Sequence, residues 1–121
     1  MAMLTKKHRL PKKRIEQVKG GGRYFQTPFF TLVYLSGRRT ASQFAFVLSK
    51  RVSKKATIRN KTKRLIAGSV REIMTDLKSG FWAVFLVKRA ALDQGKEVLS
   101  EVVRDSFNKV GLLTEDEKAD S

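Results

Sequence analysis

The alternation of apolar and polar residues changes period along the chain, and each change predicts an element. Between Pro11 and Lys19, Ile15 and Val18 recur at helical spacing, with Lys12, Lys13, Arg14 and Lys19 on the other side. Proline suits the first helical position, where its missing N–H costs nothing. Gly20, Gly21 and Gly22 follow, and glycine accepts the left-handed turn that closes many helices. From Phe25 the period becomes two. Phe29, Phe30, Leu32, Val33, Tyr34 and Leu35 predict a strand, residues 36–40 a turn, and residues 43–49 a second strand. In that second strand Phe44, Phe46 and Leu48 point one way and Ala45, Val47 and Ser49 the other. The large side belongs to a core. The small side leaves room for a groove or for a closely packed helix.

The helical period returns over residues 58–77, where Ile58, Leu65, Ile66, Ser69, Val70, Ile73 and Leu77 gather on one side. Gly68 interrupts it at a cost of about 1 kcal/mol relative to alanine. Lys78, Ser79 and Gly80 close it. Residues 81–87, Phe-Trp-Ala-Val-Phe-Leu-Val, form a continuous apolar run, as in a strand buried on both faces, so Trp82 belongs to the core and not to a base-stacking platform. A last helix is expected over residues 93–110, with Leu99, Val102, Val103, Phe107 and Val110 inward, Asp93 at its start and Gly111 at its stop. Leu112 and Leu113 are expected to tuck back. The order helix, strands, helix, strand, helix predicts an α+β sandwich forming one domain over residues 1–121. Residues 1–10 read as a loose basic arm and residues 114–121 as a loose acidic tail.

Charge narrows the partners. The 41% apolar content fits a globular protein, yet the net charge is +15. Residues 1–92 carry 22 Lys/Arg against 3 acids, a balance of +19, and residues 93–121 carry 4 against 8, a balance of −4. Such a basic region repels itself unless it meets a polyanion, and nucleic acid is the first expectation, ahead of an anionic membrane surface. The charge concentrates where Lys50, Arg51, Lys54 and Lys55 lead into a helix carrying Arg59, Asn60, Lys61, Lys63, Arg64 and Arg71 opposite its apolar stripe. No acid occurs from Lys50 to Arg71, whereas a face serving only solubility mixes signs. Asn60 and Arg64, four apart, share a face. An amide and forked guanidinium groups on a packed helix suit phosphates and unpaired base edges.

The chain lacks the means for catalysis of its own. It has no cysteine, which excludes disulfides, thiolate metal sites and a thiol nucleophile. Its one histidine, His8, lies in the basic arm, and the part expected to be ordered offers no Ser-His-Asp set, no clustered carboxylates and no metal-ligand spacing. The glycine run is followed by neither a helix start nor a Lys-Ser/Thr pair, so it is not a phosphate cradle. A binding subunit is expected, with no cofactor or metal bound by the protein alone. No apolar run reaches the length of a membrane span, and the first ten residues lack the apolar stretch of a signal peptide, so a cytoplasmic protein is expected.

At Arg59-Asn60-Lys61-Thr62-Lys63-Arg64 the chain resembles the protein subunit of bacterial ribonuclease P, whose signature is Arg-Asn-Arg-x-(Lys/Arg)-Arg at the start of a long helix, preceded by Ser-Lys-Lys/Arg on a strand. Ser49-Lys50-Arg51 stands at a suitable distance before it. Lys7-His8-Arg9-Leu10, Pro28-Phe29-Phe30-Thr31-Leu32, the strand from Phe44 to Arg51, and Lys109-Val110-Gly111-Leu112-Leu113 are also similar to the family, so the likeness covers about residues 4–113. The resemblance implies an α-β-β-β-α-β-α two-layer sandwich, of the kind called ribosomal protein domain 2-like, with a left-handed βαβ crossover that departs from the usual right-handed rule. It implies binding of the catalytic RNA through the signature region. It also implies binding of the 5′ leader of precursor tRNA in a groove between the first helix and the sheet, while the RNA cleaves the phosphodiester with magnesium. A protein oligomer is not required by this scheme. Lys61 replaces the second signature arginine and loses its planar fork. The family's two leader-facing Phe positions correspond to Ile15 and Lys19, and the strand aromatic to Val33, so the leader groove implied here comprises Lys12, Ile15, Lys19 and Val33. The residues alone leave other partners open: a ribosomal or translation-associated RNA-binding protein of related fold, or a DNA-compacting protein.

Overall fold

The computed structural model describes residues 4–114; the outer parts of the expected arm (1–3) and tail (115–121) lie outside the described residues. The elements are α1 (Lys12–Gly21), β1 (Arg23–Gln26), β2 (Phe30–Leu35), β3 (Gln43–Val47), α2 (Ala56–Glu72), β4 (Trp82–Val87) and α3 (Lys96–Lys109), with short 3-10 turns at Lys6–His8, Met74–Asp76 and Arg89–Asp93. The sheet order is β1-β2-β4-β3. Strand β4, whose apolar run has no polar face for solvent, lies inside the sheet between antiparallel β2 and parallel β3. Parallel neighbours need a crossover, and α2 supplies it. This is the α-β-β-β-α-β-α order with a mixed sheet. The short β1, which the alternation around Phe25 did not separate from β2, pairs with β2 from Arg23↔Tyr34 to Gln26↔Thr31.

One face of the sheet carries the main core. Phe30, Leu32, Phe44 and Phe85 meet Ile66 and Val70 of α2 and Leu99, Val103 and Phe107 of α3. Phe107 sits edge-on to its neighbours, its ring centroid 5.9 Å from Phe85 and 6.1 Å from Phe44. On the opposite face Val33, Ala45, Trp82 and Val84 pack with Val18 of α1 and with Leu10. Both uses of the small side of β3 are therefore realised: Ala45 lies in the cluster covered by α1, and half-buried Val47 lines an open groove beyond it. Trp82 is buried as expected, with Nε1 donating to Thr40 Oγ1 at 3.1 Å.

Several boundaries differ from the sequence expectation. Helix α2 ends at Glu72 and not at Leu77, because Ile73 leaves helical geometry (φ −110°, ψ 13°) and the chain tightens into the 3-10 turn. Ile73 and Leu77 still reach the core. Helix α3 begins at Lys96 with Gly95 as its N-cap, not at Asp93, since Arg89–Asp93 forms a 3-10 turn that buries Ala91. Gly111 takes the left-handed conformation (φ 78°) and ends α3, and Leu112 folds back, its N–H donating to Phe107 O at 2.9 Å. At the end of α1 the glycine has a different reason from the one expected. Gly22 is extended (φ −90°), and a Cβ there would lie 2.6 Å from Tyr34 O and 2.7 Å from Val18 O. Close approach to β2, not a left-handed turn, requires glycine there.

The basic arm is not loose from residue 4 onward. Leu4 and Leu10 are buried, the Leu10 N–H donates to Phe44 O at 2.9 Å, and His8 Nδ1 hydrogen-bonds Ser42 O at 2.8 Å. Pro11, without an N–H, then ends this pairing along the edge of β3. Among the described residues no helix is long and apolar enough to cross a membrane.

Candidate nucleic-acid interface

The core side of α2 fixes what its outer side presents. Thr62, Ile66, Ala67, Ser69 and Val70 are buried, and Ser69 Oγ lies 3.0 Å from Ser100 Oγ of α3. Opposite them Asn60, Lys61, Arg64 and Arg71 are exposed, and Arg59 and Lys63 are half-buried. Arg59 Nη1 donates to Ser53 O at 2.7 Å, so this guanidinium also ties the preceding loop to the helix. Among the described residues, none of the cations from Lys50 to Arg71 takes part in an ion pair. Among the described residues the face is positive and uncompensated.

Ile58, expected inward, is 38% exposed, because the first turn of α2 reaches past the main core. It lies with Val52 in a shallow hollow of about 820 Å³ framed by Lys50, Arg51, Lys54, Lys55 and Arg89. Arg89 was not among the sequence candidates. Its Nη2 donates to Arg51 O at 2.8 Å. The parallel register Val47↔Leu86 brings the chain after β3 and the chain after β4 out side by side, and only knowledge of that pairing would have flagged Arg89.

A second depression, about 550 Å³, runs along residues 44–48 of the β3 edge and is also lined by Leu4, Arg9, Leu10, Lys12, Ile15 and Lys63. The structure thus brings Lys12 and Ile15 of the expected groove together with Lys63 of the signature helix. It does not bring Val33, which is fully buried between Tyr24 and Val84 in the sheet, where no ligand reaches it. Lys19 is absent from the lining and stands 3.6 Å from Glu16 in an ion pair. Arg9 and Leu10 belong to the stretch that resembles the family, but a loose basic arm does not predict that they line a groove; Leu4 and Leu10, six residues apart in a basic stretch, are the local signal. Cations beside an apolar floor suit a chain with an anionic backbone and flat apolar faces, as in single-stranded nucleic acid. Among the described residues no three His, Cys, Asp or Glu side chains cluster so as to hold a metal ion.

Known proteins resemble this chain in sequence and in fold. The family model described as Ribonuclease P matches residues 4–111. The ribonuclease P protein component of Microcystis aeruginosa is 30% identical over 111 residues, covering 88% of this chain and 92% of the relative. Among solved structures, the RNase P protein of Staphylococcus aureus superposes with a TM-score of 0.78 at 12% identity, covering 91% of this chain and 100% of that one. That of Thermotoga maritima superposes with a TM-score of 0.68 at 22% identity, covering 85% and 94%. At those identities the structures establish the fold.

Proposed function

The chain belongs to the ribonuclease P protein family, and from that premise we propose how its surfaces divide the work. It is the protein subunit of an endoribonuclease holoenzyme, a ribonucleoprotein of tRNA processing that includes the ribonuclease P RNA. In our reading Arg59, Asn60, Lys61, Lys63, Arg64 and Arg71 contact that catalytic RNA, and Lys50, Arg51, Lys54 and Lys55 extend the contact. The observation that carries this reading is the acid-free outer face of α2, held by an inner face that is packed from Thr62 to Val70. Neutralised phosphates let the RNA fold and bind substrate when magnesium is scarce.

The 5′ leader of precursor tRNA runs in the groove along β3, with Lys12 on its phosphates and Ile15 against its bases. Lys19 contributes charge from the far end of α1, and Val33 supports α1 from below. The protein assists magnesium-dependent endonucleolytic removal of the leader, which makes the mature tRNA 5′ end. In this scheme magnesium acts with the RNA, which cleaves the phosphodiester. The subunit works in the cytoplasm and needs no second copy of itself.

Replacing Asn60 and Arg64 together by alanine tests the assignment, since both are exposed and their loss leaves the core intact. The double variant is expected to keep its melting temperature and to bind the catalytic RNA about 10- to 100-fold more weakly. Unchanged affinity would remove α2 from the interface.

A further inference from the structure

The proposed interface lies toward one end of the sheet, where β3 and β4 give way to Ser49–Lys55 and Arg89. At the opposite end, marked by the aligned residues Leu35, Trp82 and Gln43, a second basic feature has no role in that scheme. Two guanidinium groups lie over the indole of Trp82: Arg14 from α1, 5.3 Å from the ring centroid, and Arg38 from the β2–β3 turn, 5.2 Å from it. Indole is the best aromatic partner for a cation, so each arginine is held in place by the ring.

The holder is itself fixed. Trp82 sits on a central strand with Nε1 on Thr40, and the Arg38 backbone N–H donates to Gly80 O at 2.8 Å. Gly80 has φ +83°, and a Cβ on it would approach Arg38 O to 2.8 Å, so the turn and the start of β4 fit only with glycine there. Among the described residues no carboxylate balances the pair. Arg14 Nη1 reaches only the neutral Gln17 amide, at 3.2 Å, and Arg38 Nε is buried without a hydrogen-bond partner. Neither residue joins an ion pair among the described residues. Two like charges on one ring are only partly screened from each other. Such an arrangement is relieved by a shared anion, and forked guanidinium groups match the two free oxygens of a phosphodiester.

We propose that Arg14 and Arg38, set on Trp82, form a phosphate clamp for the backbone of the catalytic RNA, a second anchor at the far end of the sheet from the α2 face. The six residues of β4 separate the two anchors by about 17 Å at ~3.3 Å per residue. A rigid span between two prepared sites fits a folded RNA, not a flexible leader strand. The clamp rests on the reading of α2 as an RNA face and adds an anchor that this reading does not need.

The test measures binding of the ribonuclease P RNA across a salt series. It compares the wild type, the Arg14→Gln/Arg38→Gln double variant, the Arg14→Lys/Arg38→Lys double variant and Arg64→Ala, with melting temperatures for all four. Removing the clamp is expected to weaken RNA binding about tenfold and to flatten the salt slope by roughly 0.7–0.9 for each phosphate that is no longer neutralised. The lysine pair keeps the charge without the fork. It is expected to bind more weakly than wild type with an unchanged salt slope, and it carries the test if the glutamine pair melts early. Wild-type RNA affinity in both double variants, with Arg64→Ala weakened, overturns the clamp alone and leaves the arginines as packing for Trp82. Wild-type affinity in Arg64→Ala as well overturns the α2 reading with it. A double variant that binds the RNA normally but lowers holoenzyme affinity for precursor tRNA assigns the phosphate to the substrate, which also contradicts the proposal.

Discussion

Helices α2 and α3 pack side by side on the same face of the same sheet, and their outer faces could hardly differ more. Each buries an apolar stripe against Phe30, Phe44 and Phe85, and they touch through Ser69 and Ser100. Helix α3 carries Lys96, Arg104 and Lys109 against Glu97, Glu101 and Asp105. Its cations are paired: Lys96 with Glu72 at 2.8 Å, Arg104 with Asp76 at 3.3 Å and Lys109 with Asp105 at 3.3 Å. Helix α2 carries Arg59, Lys61, Lys63, Arg64 and Arg71 against Glu72 alone, and that one acid is turned to Lys96 of α3. The fold asks the same thing of both helices on their inner sides. Beyond the bond from Arg59 to Ser53 O it asks little of the outer side of α2, and the excess charge there fits a polyanionic partner.

The comparison is most severely tested by cutting the core the two helices share. Phe107→Ala removes a fully buried ring that touches Phe44, Phe81 and Phe85, and is expected to cost about 3–5 kcal/mol. Urea unfolding that shows a smaller midpoint with unchanged m, followed by both helix and sheet signals together, fits one shared core; separate transitions break it. Next come matched charge reversals. Arg64→Glu on α2 is expected to weaken binding of the ribonuclease P RNA by roughly 10- to 100-fold, while Arg104→Glu on α3 leaves that affinity unchanged. Equal losses from both would mean that overall charge matters and the face does not.

A smaller effect, on α1, sharpens the picture of the groove. Ile15→Phe places a ring where Ile15 lines the depression, and base stacking is worth about 1–3 kcal/mol. Holoenzyme affinity should rise for precursors with a leader and stay the same for mature tRNA; a gain for both would place the ring elsewhere. The smallest effect concerns the Lys96–Glu72 pair. The Glu72 hydrogen bond and charge raise the Lys96 pKa above its ordinary value. A raised pKa contributes stability that is fully present below the unfolded value and is lost as pH rises through the folded one. The difference in melting temperature between wild type and Glu72→Gln should therefore stay constant from pH 6 to 9 and shrink only in stronger alkali. A difference that changes across neutral pH would contradict the pairing.

Periodicity made α2, α3 and β4 legible because each buries a long, regular stripe or run. What it missed depended on contacts between distant segments. Leu4 and Leu10 gain their place only once the β3 edge exists to receive them. Ile58 follows the helical stripe by angle, yet the core ends before its turn does. Val33 keeps the strand alternation but lies under α1, so a position carried over as part of a groove became its support. The signature cations were visible in the chain as an acid-free run. Arg89 and the Arg14–Trp82–Arg38 set were not, since they are assembled by a parallel pairing and by a turn that no local pattern announces.

The central claim is that this chain supplies charge and shape while RNA supplies the chemistry. The most direct test is cleavage of a 5′-extended precursor tRNA at low magnesium, comparing ribonuclease P RNA alone, that RNA with the protein, and the protein alone. Cleavage at the mature 5′ end only when RNA and protein are combined is the expected result. Cleavage by the protein alone, or no stimulation of an RNA that it binds tightly, would contradict the account.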